Sequence, residues 1–193
     1  MMTKDSHRTT DVPTLDQPHW AAVFSLALGV SGLVISEFLP IGILTPMASD
    51  LGITEGMAGQ AVTATSVFAV VSSLLTAFVT RKVNRKHVLL TLSFLMLCSN
   101  LMVWVAPDFW MLMAGRVLLG ISLGGFWSMA AAIAMRLVPS DSLPKALSIL
   151  FGGSSFASII AASMGSYLGG LMGWRNVFSL LRFGPLGHLW FSF

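Results

Sequence analysis

Two side chains of opposite charge interrupt apolar segments of this sequence, and they are the first candidates for chemistry. Glu37 lies in the apolar segment 20–47, and Arg116 lies in the apolar segment 109–135. A charge in hydrocarbon costs at least about 2.5–3.5 kcal/mol on insertion scales, so such residues usually face a partner or a polar cavity. In such places they act through charge and protonation rather than through covalent bonds.

The spacing predicts that the two charges lie at similar depth. Arg116 comes seven residues after Phe109, or about 10 Å of helix, and Glu37 comes nine residues before Pro46, or about 13 Å. An electrostatic pair facing a polar cavity would lower the cost of burying both. The alternatives are an arginine bonded to backbone carbonyls and a carboxyl that is a static partner or is protonated and hydrogen-bonded.

Aromatic side chains flank these charges. Phe38 follows Glu37, and Phe126 and Trp127 follow Arg116 on the same segment. They are candidates for stacking on a planar ligand, because aromatic faces bind flat rings. Contact with lipid or packing in the core is the alternative for each.

Glycines recur at intervals of four residues in two apolar segments. Gly120 and Gly124 form one pair, and Gly165 and Gly169 form the other. Small residues at this spacing let helices approach closely in membranes, so we expect helix packing at both pairs. The alternative is that the second pair lets its helix bend during gating.

Composition places these segments in a membrane. The 193 residues are 55% hydrophobic and only 10% charged, whereas a soluble domain has roughly 25% charged residues. The mean hydropathy of +0.81 requires several spans. The single Cys98 excludes a disulfide framework, and the basic residues flank apolar segments without the interleaved aromatics of a nucleic-acid interface.

The chain divides into a tail, a helical domain and an unusual end. We expect residues 1–19 to form a polar cytoplasmic tail and residues 20–178 to form a transmembrane domain. We expect residues 179–193 to form an aberrant or truncated sixth span, because Arg182 and the Gly184-Pro185 pair disfavour a membrane helix. The predicted spans are 20–47, 55–80, 88–106, 109–135 and 146–172.

Basic residues predict the orientation. With the N-terminus inside, the inner segments carry eight Lys or Arg and the outer loops carry only Arg175. This bias favours a cytoplasmic N-terminus. The eight inner residues are Lys4, Arg8, Arg81, Lys82, Arg85, Lys86, Arg136 and Lys145.

Three runs of residues resemble motifs of one transporter family. They are Glu-Phe-Leu-Pro-Ile-Gly-Ile-Leu-Thr-Pro at 37–46 with Asp-Leu-Gly-Ile at 50–53, Gly-Arg-Val-Leu-Leu-Gly at 115–120, and Gly-Trp-Arg-Asn-Val-Phe at 173–178. Over about residues 19–178 the chain resembles the major facilitator superfamily, in its branch of proton antiporters that export drugs and metabolites. Within that branch it is most similar to exporters of purine ribonucleosides.

The resemblance implies an all-α membrane fold, the N-terminal six-helix half of a transporter. It places Glu37 and Arg116 on symmetry-equivalent helices that line a cavity, where they would serve proton coupling or substrate contact. It also implies a small-molecule substrate, protons, the lipid bilayer and a second transporter half as partners. No enzyme activity, cofactor, metal or nucleic acid is expected.

The resemblance has departures that matter for gating and for substrate. Arg85 and Lys86 match the family's gating loop, but Ala77, Arg81 and Asn84 replace its glycine, aspartate and second glycine.

The resemblance favours export of inosine or guanosine, and a drug or sugar exporter is the alternative. A truncated inactive product, a half-transporter that needs a second half and a small membrane scaffold are further alternatives.

Overall fold

The computed structural model describes residues 18–80, 83 and 85–183, without the side chains of 85, 86 and 180–183. The predicted tail up to residue 17 and the end of the chain from residue 184 lie outside this part. The side chains of Arg85 and Lys86, for which a gating role is predicted, lie outside it as well.

Seven α-helices make up the described chain, in which no strand occurs. Five of them are long and apolar enough to cross a membrane, so the predicted all-α membrane fold with five clear spans is confirmed. The helices are α1 (Trp20–Gly42), α2 (Leu44–Asp50), α3 (Glu55–Val79), α4 (Arg85–Val105), α5 (Phe109–Leu137), α6 (Leu143–Met172) and α7 (Trp174–Phe183), and a 3-10 turn (Ser140–Ser142) precedes α6.

The first predicted span is divided. Segment 20–47 was expected to be one bent span, but Ile43 has φ −121° and ψ 18° and separates α1 from α2. Pro46 has no backbone N–H, so the carbonyl of Gly42 has no helical donor there. The helix therefore breaks three residues before that proline, and α2 continues as a short separate helix.

Side-chain caps fix the starts of two long helices. Thr54 Oγ1 accepts a hydrogen bond from the N–H of Met57 at 3.2 Å, and Asp108 Oδ1 accepts one from the N–H of Met111 at 2.8 Å. Each cap satisfies a donor that the first turn leaves free. These caps set where α3 and α5 begin, and hence the depth of Arg116 on α5.

The helices pack in pairs, α1 on α6 and α3 on α5, and α4 packs on α5 and α7. Glycines lie at the closest approaches. A Cβ at Gly120 or Gly124 would clash with the backbone oxygens of α3, and one at Gly165 would clash with the carbonyl oxygen of Leu39 on α1. A Cβ at Gly169 would clash with the side chain of Ile43.

The two ends of the bundle differ in charge. At one end, which we call the basic end, the N–H of His19 donates to the carbonyl of Leu137 at 2.9 Å. At the same end the Lys145 ammonium lies 5.0 Å from the centre of the Trp20 ring. The opposite end holds Asp50 and Arg175, and we call it the Asp50 end.

Candidate functional site

Arg116 lies inside the helix bundle and is only 1% exposed. Its Nη1 donates a hydrogen bond to the carbonyl oxygen of Ser36 on α1 at 3.2 Å. In a regular helix that carbonyl would accept from residue 40, but Pro40 has no N–H. The proline therefore leaves an acceptor on α1 free, and Arg116 on α5 uses it.

Two further contacts hold Arg116 in place. The hydroxyl of Thr65 on α3 donates to the backbone carbonyl of Arg116 at 3.2 Å. The guanidinium carbon lies 5.4 Å from the centre of the Phe178 ring on α7, within range of a cation–π interaction. Arg116 is thus fixed by three helices besides its own.

One edge of the guanidinium has no partner. Nε and Nη2 of Arg116 are buried and have no hydrogen-bond acceptor among the described residues, and neither has the buried hydroxyl of Ser36. Nε and Nη2 lie on the same edge and form a planar fork of donors, which suits a two-oxygen acceptor. A buried donor without an acceptor is costly, so this unused fork is the strongest indication of a binding function.

Glu37 does not close this fork. The side chain is half-buried, whereas its neighbour Ser36 is completely buried. Glu37 and Arg116 are close enough to interact through their charges. Both side chains are described in full, and no ion pair within 4 Å joins them, so the predicted partners approach each other across a gap.

The structure does not bring the predicted aromatic residues to this fork. Phe126 is buried in the core cluster between α1, α4, α5 and α6, and Phe38 packs against that cluster. Trp127 stacks on Phe151 of α6, with ring centres 5.7 Å apart. These contacts match the packing alternative, and ligand stacking by the three residues stays a prediction.

Sequence reasoning missed three residues around Arg116. Ser36, Thr65 and Phe178 contact it, yet only the position of Ser36 carries a signal in the sequence. Ser36 stands four residues before Pro40, and the carbonyl four residues before a helical proline always lacks its donor. Thr65 and Phe178 could not be found in this way, because their contacts depend on how the helices pack.

A second arginine site at the Asp50 end was also missed. Asp50 Oδ2 accepts from Nη1 of Arg175 and from the indole Nε1 of Trp174, the latter at 3.1 Å. Nη2 of Arg175 donates to the carbonyl of Ala106 at 3.0 Å, and its guanidinium lies 4.4 Å from the centre of the Trp174 ring. This cluster, which we call the Asp50 clamp, joins α2, the turn after α4 and the start of α7.

Comparison with known proteins connects this architecture to a family. The family model of the Major Facilitator Superfamily matches residues 20–187. The proteins named Purine ribonucleoside efflux pump NepI from Salmonella typhimurium and Salmonella typhi are each 50% identical to this chain over 163 residues. The NepI protein of Salmonella paratyphi A is 49% identical over the same length.

The matched region covers most of this chain but less than half of each relative. It includes 84% of the chain and 41% of each of these three relatives. Five of the described helices are long and apolar enough to cross a membrane, as expected for a multi-pass membrane protein. The chain belongs to the major facilitator superfamily and is similar to the N-terminal part of these efflux pumps.

Proposed function

We propose that this chain forms the N-terminal half of a transporter that exports small solutes in exchange for protons. The observation that carries the proposal is the buried fork of Arg116, for which no described residue supplies an acceptor. A ligand with oxygen or nitrogen acceptors would satisfy the fork and remove the cost of the unpaired donors. The fork is buried in this conformation, so binding requires the helices to move, as in alternating access.

The substrate that fits best is a 6-oxopurine ribonucleoside such as inosine or guanosine. The O6 and N7 atoms of a 6-oxopurine form an acceptor pair that an arginine fork binds through two hydrogen bonds. The adjacent N1–H is a donor, which an ionised carboxylate such as Glu37 would accept. The gap between Glu37 and Arg116 would thus be bridged by one planar base, and the names of the relatives support this substrate class.

This arrangement explains why substrate and proton would exclude each other. Ionised Glu37 accepts from the N1–H of the base, whereas protonated Glu37 loses most of that acceptor strength. Proton entry would therefore release the substrate, and loss of the proton would restore the site. Such competition for one carboxylate is the requirement for antiport, in which the protein carries either the proton or the solute.

Membrane placement and partners are part of the proposal. The excess of Lys and Arg at the basic end favours a cytoplasmic N-terminus in the inner membrane of a bacterium. Because the chain spans 41% of its relatives, we propose that it works together with a second half. Family transporters bind their substrates near the midplane between two halves, so the fork would face that second half.

The test is a transport assay on the assembled transporter, meaning this chain together with a second half taken from the remaining part of a relative. Inverted membrane vesicles with an acidic interior should take up labelled inosine and guanosine. Adenosine should be taken up at least about tenfold less well, because its N6 amino group meets the fork with a donor instead of an acceptor. Uptake of a lipophilic cation or a sugar instead of nucleosides would contradict the proposed substrate.

Two variants connect the assay to the site. Arg116→Gln should abolish uptake, and Glu37→Gln should abolish the dependence on the pH gradient. Arg136→Gln is the matched control, because it removes a positive charge from the exposed end of the same helix. Normal gradient-driven uptake by the Glu37→Gln variant would remove Glu37 from the coupling mechanism.

A further inference from the structure

The buried polar atoms that lack a partner belong to α5 and to two helices that pack on it. In the part of the chain that the structure describes, they are the Ser36 hydroxyl on α1, the Asn100 amide nitrogen on α4, and Nε and Nη2 of Arg116 on α5. Each of the three residues is at most 2% exposed. Ser36 contacts Arg116 through its backbone carbonyl, whereas Asn100 has no part in the fork itself.

Core packing places the three residues in one layer of the bundle. Three or four positions away on one side, which is about one helical turn, their neighbours all belong to one apolar cluster. These neighbours are Leu33, Met96 and Leu119. About one turn away on the other side, the neighbours all belong to a second apolar cluster and are Leu39, Val103 and Leu112. Ser36, Asn100 and Arg116 thus form a polar layer between two apolar clusters, which we call the donor layer.

A hydrogen bond between α4 and α5 supports this placement. The hydroxyl of Ser99 donates to the carbonyl of Gly115 at 2.7 Å. Ser99 and Gly115 are the sequence neighbours of Asn100 and Arg116, so these two residues lie within about one turn, or about 5.4 Å, of each other along the bundle. Asn100 and the fork therefore share one level of the bundle.

Asn100 and its neighbour Ser99 use their polar groups differently. The Ser99 hydroxyl is also buried, but it joins two helices through its bond to Gly115. The amide nitrogen of Asn100 joins no helices, because it has no acceptor among the described residues. Burying such a donor costs free energy, and an apolar side chain of similar volume would avoid that cost. Stability therefore explains Ser99 but not Asn100.

We infer that Asn100 is a further substrate-binding residue, which donates to the ribose of the nucleoside while Arg116 binds its base. The inference rests on the proposed function. The O6 and N7 atoms of the base satisfy Nε and Nη2 of Arg116, and they leave the Asn100 amide and the Ser36 hydroxyl without partners. A ribose hydroxyl accepts from the amide, and a second one exchanges a hydrogen bond with the serine. A ribonucleoside thus satisfies every group of the donor layer, whereas the base alone leaves two unpaired.

The experiment measures the affinity of the assembled transporter, this chain with the second half of a relative, for two ligands. Inosine carries the ribose, and 9-methylhypoxanthine keeps O6, N7 and N1–H of the base without it. Asn100→Leu should weaken the binding of inosine about tenfold, which is the worth of one hydrogen bond to a buried group. The same variant should bind 9-methylhypoxanthine as the parent does, to within about twofold.

The two ligands separate failure of this inference from failure of the proposed function. An equal fall for both ligands in Asn100→Leu, or no fall for inosine, would overturn the role of Asn100 while leaving the fork as it stands. A parent protein that binds neither ligand would refute the proposed function, and the role of Asn100 with it.

A matched control and a stability measurement exclude a merely structural role. Asn176→Leu makes the same exchange at an exposed position of α7 and should leave both affinities unchanged. Asn100→Leu should unfold at an equal or higher temperature than the parent, because it removes a buried donor that has no acceptor. A marked fall in that temperature would show that the amide is structural. If Asn100→Leu fails to fold, Asn100→Ala removes the same donor without adding an apolar side chain of similar size, and the same two affinities decide.

Asn100→Asp tests whether Asn100 shares the level of the fork. A carboxylate in the donor layer offers Arg116 a two-oxygen acceptor, so it should close the fork against the base. We expect the binding of both inosine and 9-methylhypoxanthine to fall at least about tenfold in this variant. Unchanged binding of 9-methylhypoxanthine would contradict the placement of Asn100 beside Arg116.

Discussion

Arg116 and Arg175 both join separate helices, but the two guanidiniums use their donors in opposite ways. Arg175 is partly exposed and binds the Asp50 carboxylate and the carbonyl of Ala106. The Arg116 guanidinium is buried, and within the described part of the chain it makes one hydrogen bond and leaves one edge without an acceptor. A partly exposed ion pair contributes modestly to stability, whereas a buried cation with unpaired donors costs free energy. We infer that Arg175 is structural and that Arg116 is functional.

The largest effect should come from removing the Arg116 fork. Arg116→Met should abolish nucleoside transport, at least about 100-fold, because two hydrogen bonds to a charged donor are lost. The same variant should unfold at an equal or higher temperature, because replacing a buried unpaired charge by a hydrophobic residue is often neutral or stabilising. Vesicle uptake and thermal unfolding in detergent measure the two outcomes. A marked loss of stability would indicate a structural arginine.

A smaller loss of transport is expected at Glu37. Glu37→Gln keeps the size of the side chain but removes its titration, so exchange of inosine across the membrane should continue without a response to the pH gradient. We expect the gradient-driven part of uptake to fall at least about tenfold, since a hydrogen bond to a charged group is worth about 1.5–3 kcal/mol. Counterflow at saturating inosine in the absence of a gradient is the internal control, and its loss would show that Glu37 is needed for more than binding strength and proton coupling.

Arg175 should behave in the reverse manner. Arg175→Met should lower the free energy of unfolding by about 1–2 kcal/mol, because the contacts of the Asp50 clamp are partly exposed and screened. Transport by the fraction that folds should stay within about twofold of the parent, since these contacts lie at the end of the bundle and away from the fork. Denaturation in detergent and uptake per folded molecule test both parts. Complete loss of uptake by folded protein would contradict the inference that Arg175 has a structural role and Arg116 a functional one.

A change at Pro40 tests how Arg116 is held. Pro40→Ala restores an N–H that can bond the Ser36 carbonyl, so Arg116 would have to share this acceptor. We expect α1 to become more stable, by up to about 3 kcal/mol in its local helix propensity, while transport falls by a few-fold. Unfolding temperature and uptake of inosine should therefore move in opposite directions. A parallel change of both would show that the free carbonyl is not used by Arg116.

The main features of the fold could be predicted from the sequence, because each depends on the hydropathy and the helix geometry of a single stretch of chain. Five long apolar runs fixed the five spans, and the fixed rise per residue placed Glu37 and Arg116 at similar depth. The structure brings Arg116 to Ser36, the residue next to Glu37. Hydropathy and helix geometry therefore led to Arg116 and to the stretch of α1 that it contacts, while the roles of Glu37 and Arg116 stay predictions.

What the sequence could not predict depends on packing between distant parts of the chain. The contact of Arg116 with Phe178 requires α7 to lie against the site, and the Asp50 clamp joins residues 124 and 125 positions apart. Helices α3 and α4 both pack on α5 but make little contact with each other. Hydropathy does not predict this arrangement, because an apolar residue has the same hydropathy whether it faces another helix or lipid. The division of α1 from α2 at Ile43 follows from Pro46 only once the helix is known to continue through that region.

We propose that substrate and proton compete at Glu37 beside the Arg116 fork. The most direct measurement is the affinity of the assembled transporter for inosine as a function of pH, in the parent and in Glu37→Gln. We expect the parent to bind inosine more weakly as the pH falls, because a protonated carboxyl is a much weaker acceptor for the base, and Glu37→Gln to bind weakly at every pH. Tighter binding at low pH in the parent, or an unchanged pH dependence in Glu37→Gln, would contradict it.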